Sequence, residues 1–470
     1  MTFTRSLVHP ATRFEYRGVV YSYDELIERI NRYHALFDHY GIIRGKKIAV
    51  HSATSFDFYA VTICAFERGV MICVLPRKTS FTTHDEDDQE LVMLDTQYIF
   101  QAVPIPALTM WNLPIISLSE ANDFAPTTPT ITAVSSDIAV TSVTSGSTGK
   151  PKRLFHTHAS IVAATTLAKQ FYTEKDVVLI YSTINHLGVM TVQVLPVLLA
   201  GSHIIMHEAY LQDEYLLTAM DDQRINKAII FPHVLKTVYD SPRWLAIDMS
   251  HFDNIITGGV KLNSLFVDTL FKQGVKSISS IYGLSEALPP VFVKTIDPVS
   301  RVGMTELDFR FLGSLVGDWT YRIRSGHLCL RGASLAEGEN ILEAMKDGFL
   351  DTGDTVFKKS GQVEYVGRQR VIRRRDGTLA NLDSIENLLN RHGAIGDSLI
   401  LSVNGRLIAA IKYMTDQRFT LDEVNQYLVA HSGTRVDHVF DATQCPYKAD
   451  AIKAVMQLSK KLVGTDDGAP

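Results

Sequence analysis

The sequence is poor in several features that would place a chain quickly. Its 470 residues hold only four cysteines, Cys64, Cys73, Cys329 and Cys445. They are scattered and have no metal-type spacing. No apolar run is long enough to cross a bilayer. The most membrane-like stretch, residues 189–201, is short and carries Thr191, Gln193 and Pro196, so it reads as a buried segment. Neither sign of charge dominates: 46 Lys+Arg stand against 51 Asp+Glu, a formal net charge of −5. That balance gives no electrostatic reason to expect nucleic acid as a partner. Residues 1–18 lack the apolar core of a signal peptide. These absences together predict a cytoplasmic protein with reduced thiols and no membrane span.

What is present is an ordinary globular composition, 46% hydrophobic and 21% charged, in a chain long enough for two or three lobes. Ser22-Tyr23-Asp24-Glu25 fits a capping box. Leu26, Ile30, Tyr33 and Phe37 then recur at helical spacing until Gly41. A strand at 47–50, a helix at 56–68 and a strand at 70–75 follow. The same rhythm returns with strands at 228–231, 254–256 and 277–282, separated by helices at 233–239 and 265–272. Alternation of this kind predicts an α/β fold with mainly parallel sheets covered by helices. Residues 121–132, rich in Pro and Thr, read as a loop. The last hundred residues differ. Two apolar runs, 398–403 and 406–413, flank Asn404-Gly405, a strong hairpin signal. With helices at 421–431 and 449–462 they predict a small α+β domain, ahead of a disordered tail.

The most informative segment runs from an apolar strand at Ile138 into Thr144-Ser145-Gly146-Ser147-Thr148-Gly149-Lys150-Pro151-Lys152. Glycines let a backbone approach closely, and the hydroxyls, N–H groups and two lysines suit a polyphosphate. A Walker-type loop would need a glycine at 144 and Ser or Thr at 151. The chain has Thr144 and Pro151, so that reading fails twice. A flexible Ser/Gly linker is the plain alternative.

This segment, followed by His158, resembles the phosphate loop of the acyl-adenylate-forming superfamily of acyl-CoA synthetases, adenylation domains and luciferases. Further resemblances follow in the family's order: Tyr282-Gly283-Leu284-Ser285-Glu286, Asp351-Thr352-Gly353-Asp354, Gly367-Arg368, and Cys445-Pro446-Tyr447-Lys448-Ala449-Asp450. The resemblance implies a large N-terminal domain over 1–367 and a small mobile lid over 368–470. It implies ATP, Mg²⁺ and CoA or phosphopantetheine as cofactors. The reaction would join a carboxylic acid to AMP and then pass the acyl group to CoA or a separate acyl carrier protein. The implied nucleotide site comprises Thr144, Ser145, Gly146, Ser147, Thr148, Gly149 and Lys152 at the phosphates. Tyr282, Gly258, Gly259, Gly283 and Ser285 would lie around adenine, and Asp354 and Arg368 at the ribose. Glu286 and Thr148 would hold Mg²⁺, Lys448 would be the catalytic lysine, and Arg370 would mark the hinge. Plain alternatives are a helix-start acid for Glu286, a surface turn for Asp354 and a surface lysine for Lys448, with Lys453 as its competitor.

The departures from the family pattern bear on substrate and turnover. The implied acid pocket contains Asn185, His186, which would also be catalytic, and Ile281. The stretch 182–188 has no carboxylate to bind an α-ammonium group, and Ile281 is bulky. Both features point to an aryl or short to medium acyl acid. A free-standing amino-acid adenylation enzyme is the alternative. Tyr447 stands where the family has glycine, and Arg370 where it has Asp or Lys. A nucleotide-binding pseudo-enzyme would use the same departures. Ile395-Gly396-Asp397-Ser398-Leu399 resembles a carrier attachment site but continues into strand-like sequence, so it reads as a chance match.

Overall fold

The computed structural model describes residues 1–52, 55–75, 93–145, 151–181, 187–206, 213–231, 242–259, 262, 264–305, 308–368, 371–374, 378–390, 392, 394–403, 406–413, 416–432 and 434–443. The chain divides into two compact units. The first is residues 1–352 with 356–365, and the second is residues 353–355 with 366–470.

The strands of the first unit, in chain order, begin with β1 (Arg13–Tyr16), β2 (Val19–Tyr21), β3 (Lys47–His51), β4 (Met71–Val74), β5 (Tyr98–Gln101), β6 (Ile115–Ser117), β7 (Ile138–Ser145) and β8 (Pro151–Thr157). They continue as β9 (Val177–Ile180), β10 (His203–Met206), β11 (Lys227–Ile229), β12 (Asn254–Gly258), β13 (Ile278–Leu284), β14 (Ala287–Ile296) and β15 (Ser314–Leu315). Among the described residues they form a six-stranded sheet ordered β6-β5-β3-β4-β7-β8 and a nine-stranded sheet ordered β15-β14-β13-β12-β11-β9-β10-β1-β2. From β13 through to β1 all neighbours in the larger sheet pair parallel. The chain moves from β9 to β10 on one side and then to β11 on the other. The strand order therefore reverses between β9 and β11, which is where open α/β sheets leave a ligand crevice beyond their carboxyl ends.

The helix Tyr23–His39 starts at a complete capping box: Ser22 N–H donates to Glu25 Oε2 at 2.7 Å, and Glu25 N–H donates to Ser22 Oγ at 3.2 Å. Leu26, Ile30, Tyr33 and Phe37 are buried along its inner stripe, as their spacing predicts. In the helix Phe56–Arg68 every residue but Asp57 is buried. A helix apolar on all sides belongs inside a layered core. Removing one of its aromatics, such as Phe58 or Phe66, would cost about 3–5 kcal/mol. Gly69 closes it in the left-handed region, where a Cβ would lie 2.7 Å from an Asp137 oxygen. The apolar stretch 189–201 is indeed buried, as one π-turn (Met190–Val194) followed by the helix Pro196–Ala200.

A third sheet contains β16 (Thr320–Arg324), β17 (His327–Arg331), β18 (Met345–Lys346), β19 (Phe349–Lys359) and β20 (Gln362–Arg368); all of it belongs to this unit except residues 353–355 and 366–368. Its apolar cluster includes Leu154 of β8 and Ala287 and Val291 of β14 alongside Trp319, Leu328 and Val356. That packing fixes β8 and β14 relative to each other.

The second unit has the antiparallel pair β21 (Val371–Arg373) and β22 (Leu379–Asn381). It also has the hairpin β23 (Ile395–Val403) and β24 (Arg406–Tyr413), with β25 (His438–Asp441) parallel to β24. Helices Leu382–Leu389 and Leu421–Ser432 supply Ile385, Leu389, Val424 and Leu428 to its core. The antiparallel pair predicted around Asn404-Gly405 is present, with Val403 opposite Arg406; Asn404 and Gly405 themselves lie outside the described residues. Ser398 lies within β23, is 2% exposed and bonds the Glu386 carbonyl. It is a sheet residue and offers no carrier attachment site. The helices expected at 233–239 and 449–462, and the tail, lie outside the described residues. Cys64, Cys73 and Cys329 are free thiols. Among the described residues no helix is long and apolar enough to cross a membrane.

Candidate active site

The two ends of the glycine-rich segment lie opposite each other in an antiparallel pair of strands. Thr144 pairs with Lys152 and Ser145 with Pro151. The backbone of Thr144, Ser145 and Lys152 is thus placed in β7 and β8, whereas Gly146, Ser147, Thr148 and Gly149 lie outside the described residues. The chain returns as a strand. A Walker loop opens into a helix, so the topology supplies a reason for rejecting that reading beyond the missing residues.

The larger sheet presents its carboxyl ends nearby in sequence order. β12 ends in Gly258, whose register partner on β13 is Ile281. A Cβ at Gly258 would lie 2.6 Å from the Ile281 carbonyl oxygen, so only glycine fits. Gly259 follows with φ +71°, a left-handed conformation. Ile281 is buried in the apolar cluster that also contains Ile256 and Leu288. The Tyr282 ring is half-buried and meets Phe292 at 6.0 Å and Tyr365 at 6.2 Å. A Cβ at Gly283 would lie 2.6 Å from the Pro289 side chain, so the chain past Tyr282 folds tightly onto β14.

Ser285 and Glu286 form the turn between β13 and β14. Glu286 therefore does not start a helix. The Glu286 carbonyl accepts from Ala336 N–H at 2.9 Å, and the Ser285 carbonyl accepts from His156 Nε2 at 2.9 Å. β8 is fixed to the same neighbours. Phe155 N–H donates to the Glu337 carbonyl at 3.2 Å, and Glu337 N–H returns a bond to Phe155 at 2.7 Å. Leu288 N–H also bonds the Ser334 carbonyl at 3.1 Å. Residues 334–337 thus lie between the hairpin strand and the turn, touching both through backbone groups.

This bridging segment is absent from the sequence expectations. The signal for it was a pair of glycines. A Cβ at Gly332 would lie 2.4 Å from the Trp319 ring, and Gly338 has φ +133°. Both mark a backbone held where other residues do not fit.

Two histidines on this hairpin and the helix after it are fully buried, His156 and His158, each 0% exposed. Burial pushes both down to about 4. Ser285 gives His156 one acceptor, and His158 lies edge-on to Phe66 at 5.3 Å. Both imidazoles are neutral near pH 7.

Asp354 lies within β19, between Gly353 and Thr355, and is 6% exposed. It is not in a surface turn, and a buried aspartate must be satisfied by partners. Arg368 ends β20, its side chain outside the described residues, as are Asn185, His186, Arg370, Lys448 and Lys453. Among the described residues no three His, Cys, Asp or Glu side chains converge to cage a metal. Mg²⁺ does not need such a cage: it is commonly held by one or two carboxylates and substrate phosphates, which a single turn glutamate fits.

Residues 4–338 match the family described as AMP-binding enzyme. The chain is 22% identical over 361 residues to a feruloyl-CoA synthase of an Amycolatopsis species, covering 73% of this chain and 72% of that protein. It is 26% identical over 280 residues to an indoleacetate–CoA ligase of Aromatoleum aromaticum, covering 56% and 53%. In fold it is similar to ATP-bound MatB from Rhodopseudomonas palustris, with TM-score 0.76 and 17% identity over 94% of this chain and 95% of that one. The chain belongs to the AMP-binding enzyme family, as an AMP-forming ligase that uses ATP and Mg²⁺ to turn a carboxylic acid into an acyl-adenylate and passes the acyl group to a CoA or phosphopantetheine thiol.

Proposed function

We propose that the acid is an aryl or short to medium acyl carboxylate without a free α-amino group, and that CoA is the acceptor. The observation that carries the reading is Ile281. It is buried in an apolar cluster on β13, directly before Tyr282, and on this reading it shortens the acid side of the site and makes it apolar. The stretch 182–188 supplies no carboxylate for an ammonium group. Two similar proteins are named for feruloyl and indoleacetate, both acids that carry an aromatic ring. A carrier-bound phosphopantetheine offers the same thiol chemistry and is the alternative acceptor.

Within this reading, the hairpin tip with Thr148 and Lys152 cradles the triphosphate through N–H groups and cations. Tyr282 stacks on adenine beside Gly258 and Gly259, with Gly283 and Ser285 shaping the turn. Asp354 accepts from the ribose hydroxyls with Arg368 beside it. Glu286 and Thr148 hold Mg²⁺, which neutralises charge on the phosphates. His186 and Asn185 face the acid. Lys448 bridges the acid and the α-phosphate, as a compact cation on a flexible stem can. Residues 1–367 act as the adenylating body and 368–470 as a lid that turns at Arg370. The protein works in the cytoplasm. The test is ATP–pyrophosphate exchange over a library of acids, followed by thioester formation with CoA and with carrier. Exchange driven best by a standard α-amino acid would overturn the substrate assignment.

A further inference from the structure

We propose that His156 is a positioning residue for adenylation, whose Nε2–H bond to the Ser285 carbonyl fixes the turn that presents Glu286. The inference rests on the reading of Glu286 as the carboxylate on the Mg²⁺ side.

The geometry is specific. His156 lies in β8, only a few residues beyond Pro151, where the chain leaves the glycine-rich tip. Its register partner on β7 is Val140, and its side chain is wholly buried. From there it reaches a carbonyl 129 residues away in sequence. A carbonyl can only accept, so Nε2 carries the proton. Nδ1 is buried and has no hydrogen-bond partner among the described residues. The imidazole therefore has one bond and one purpose for it. A second proton on Nδ1 would have no acceptor, which agrees with a pKa pushed down to about 4. The bond thus persists unchanged across the pH range in which a ligase works.

The two successive carbonyls of the turn are held from two sides, Ser285 by His156 and Glu286 by Ala336 N–H. Fixing both carbonyls fixes two peptide planes and hence the direction in which the Glu286 side chain leaves the backbone. The same β8 backbone is bonded to Glu337 through Phe155. The strand leaving the phosphate tip and the turn bearing Glu286 therefore share one frame. A cation held by Glu286 beside a bound phosphate would require these two parts at a constant separation, and small misplacements of reacting groups are costly. The bond His156 makes is the side-chain element of that frame.

The test compares His156→Gln, which keeps an amide donor, with His156→Leu and His156→Met, which have none. Pyrophosphate exchange is measured against Mg²⁺, ATP and acid, with circular dichroism and Tm on each protein. Glu286→Gln is the reference. The donorless variants should need about fivefold more Mg²⁺ for half-maximal exchange and lose about tenfold in kcat, with the KM for the acid unchanged and most of the loss restored in His156→Gln. A wild-type Mg²⁺ response in a folded donorless variant, beside a shifted Glu286→Gln, would overturn the inference alone. A wild-type Mg²⁺ response in Glu286→Gln would remove the metal-site reading and this inference with it. Losses that track Tm equally in the Gln, Leu and Met variants, or failure of both donorless variants to fold, would show a merely structural histidine.

Discussion

Two hairpins of this protein obey the same backbone rules to opposite ends. β23 and β24 close through Asn404-Gly405, with Val403 and Arg406 paired directly beside the turn. β7 and β8 pair as far as Ser145 and Pro151 and leave residues 146–150 beyond the last pair. A two-residue connection is short enough for the strands to satisfy most of its backbone groups, and its residues are chosen for φ > 0. Five residues rich in glycine and hydroxyls exceed such a connection, and the proposed reading gives their N–H groups to a ligand. On the reading proposed above, the first hairpin serves stability and the second serves binding, although glycine stands between the paired strands of each. Glycine alone therefore says nothing about function; the number of residues beyond the last strand pair does.

The largest expected effect comes from erasing that difference. Replacing residues 146–150 with Asn-Gly should abolish pyrophosphate exchange by more than about 10³-fold, because several phosphate donors are lost together. The sheet should still form, and far-UV circular dichroism would verify it. Exchange at wild-type rate would show that the tip is only a connection.

Next in size, Lys448→Ala should cost about 10²–10³ in adenylation rate with ATP affinity nearly intact, the signature of a charge felt in the transition state. Transfer to thiol from supplied acyl-AMP should survive, and Lys453→Ala should do little. Separate assays of the two half-reactions decide it.

The hairpin of β7 and β8, with the helix that follows it, also carries a stability liability. His156 and His158 are held at about 4, below the ordinary imidazole value of 6.5. As pH falls below 6.5 the unfolded chain takes up protons that the native state refuses, so stability drops until about pH 4 and then levels. Each histidine contributes about 3 kcal/mol to that drop. Urea midpoints measured between pH 7 and 4 should fall, and His158→Gln should flatten the slope. A midpoint independent of pH in this window would contradict the burial of both rings.

The smallest effect belongs to the tight hairpin. Gly405→Ala should cost about 1 kcal/mol, the penalty for a side chain where φ > 0 is favoured. Exchange kinetics should not change. A loss of activity without loss of stability would mean that this turn, too, contacts a ligand.

The sequence made the alternating architecture legible because both large sheets are mainly parallel and their strands are separated by helices, one strongly periodic at Tyr23–His39 and one almost wholly buried at Phe56–Arg68. Gly258 and Tyr282 could be singled out because their neighbours form a recognisable string. The strand setting of Asp354 could not be read from Thr-Gly-Asp, whose composition suits a turn equally well. Residues 334–337 escaped notice for a different reason. They act through backbone N–H and C=O groups, which every residue carries, so only the flanking Gly332 and Gly338 hint at them. His156 escaped because its partner is a carbonyl far along the chain, and periodicity describes only local neighbours.

The order of strands has a consequence for synthesis. β1 pairs with β10, so Arg13 aligns with His203, 190 residues later. At a ribosomal pace of ~5–20 residues per second, the first hairpin waits about 10–40 s for the strand that will receive it. During that interval the whole six-stranded sheet is made. β1 and β2, with Val19 and Val20 still about half exposed in the finished protein, spend that time as an unclaimed edge. The nascent chain thus carries an unreceived hairpin at residues 13–21 until β10 is made, after the glycine-rich segment between β7 and β8 already exists.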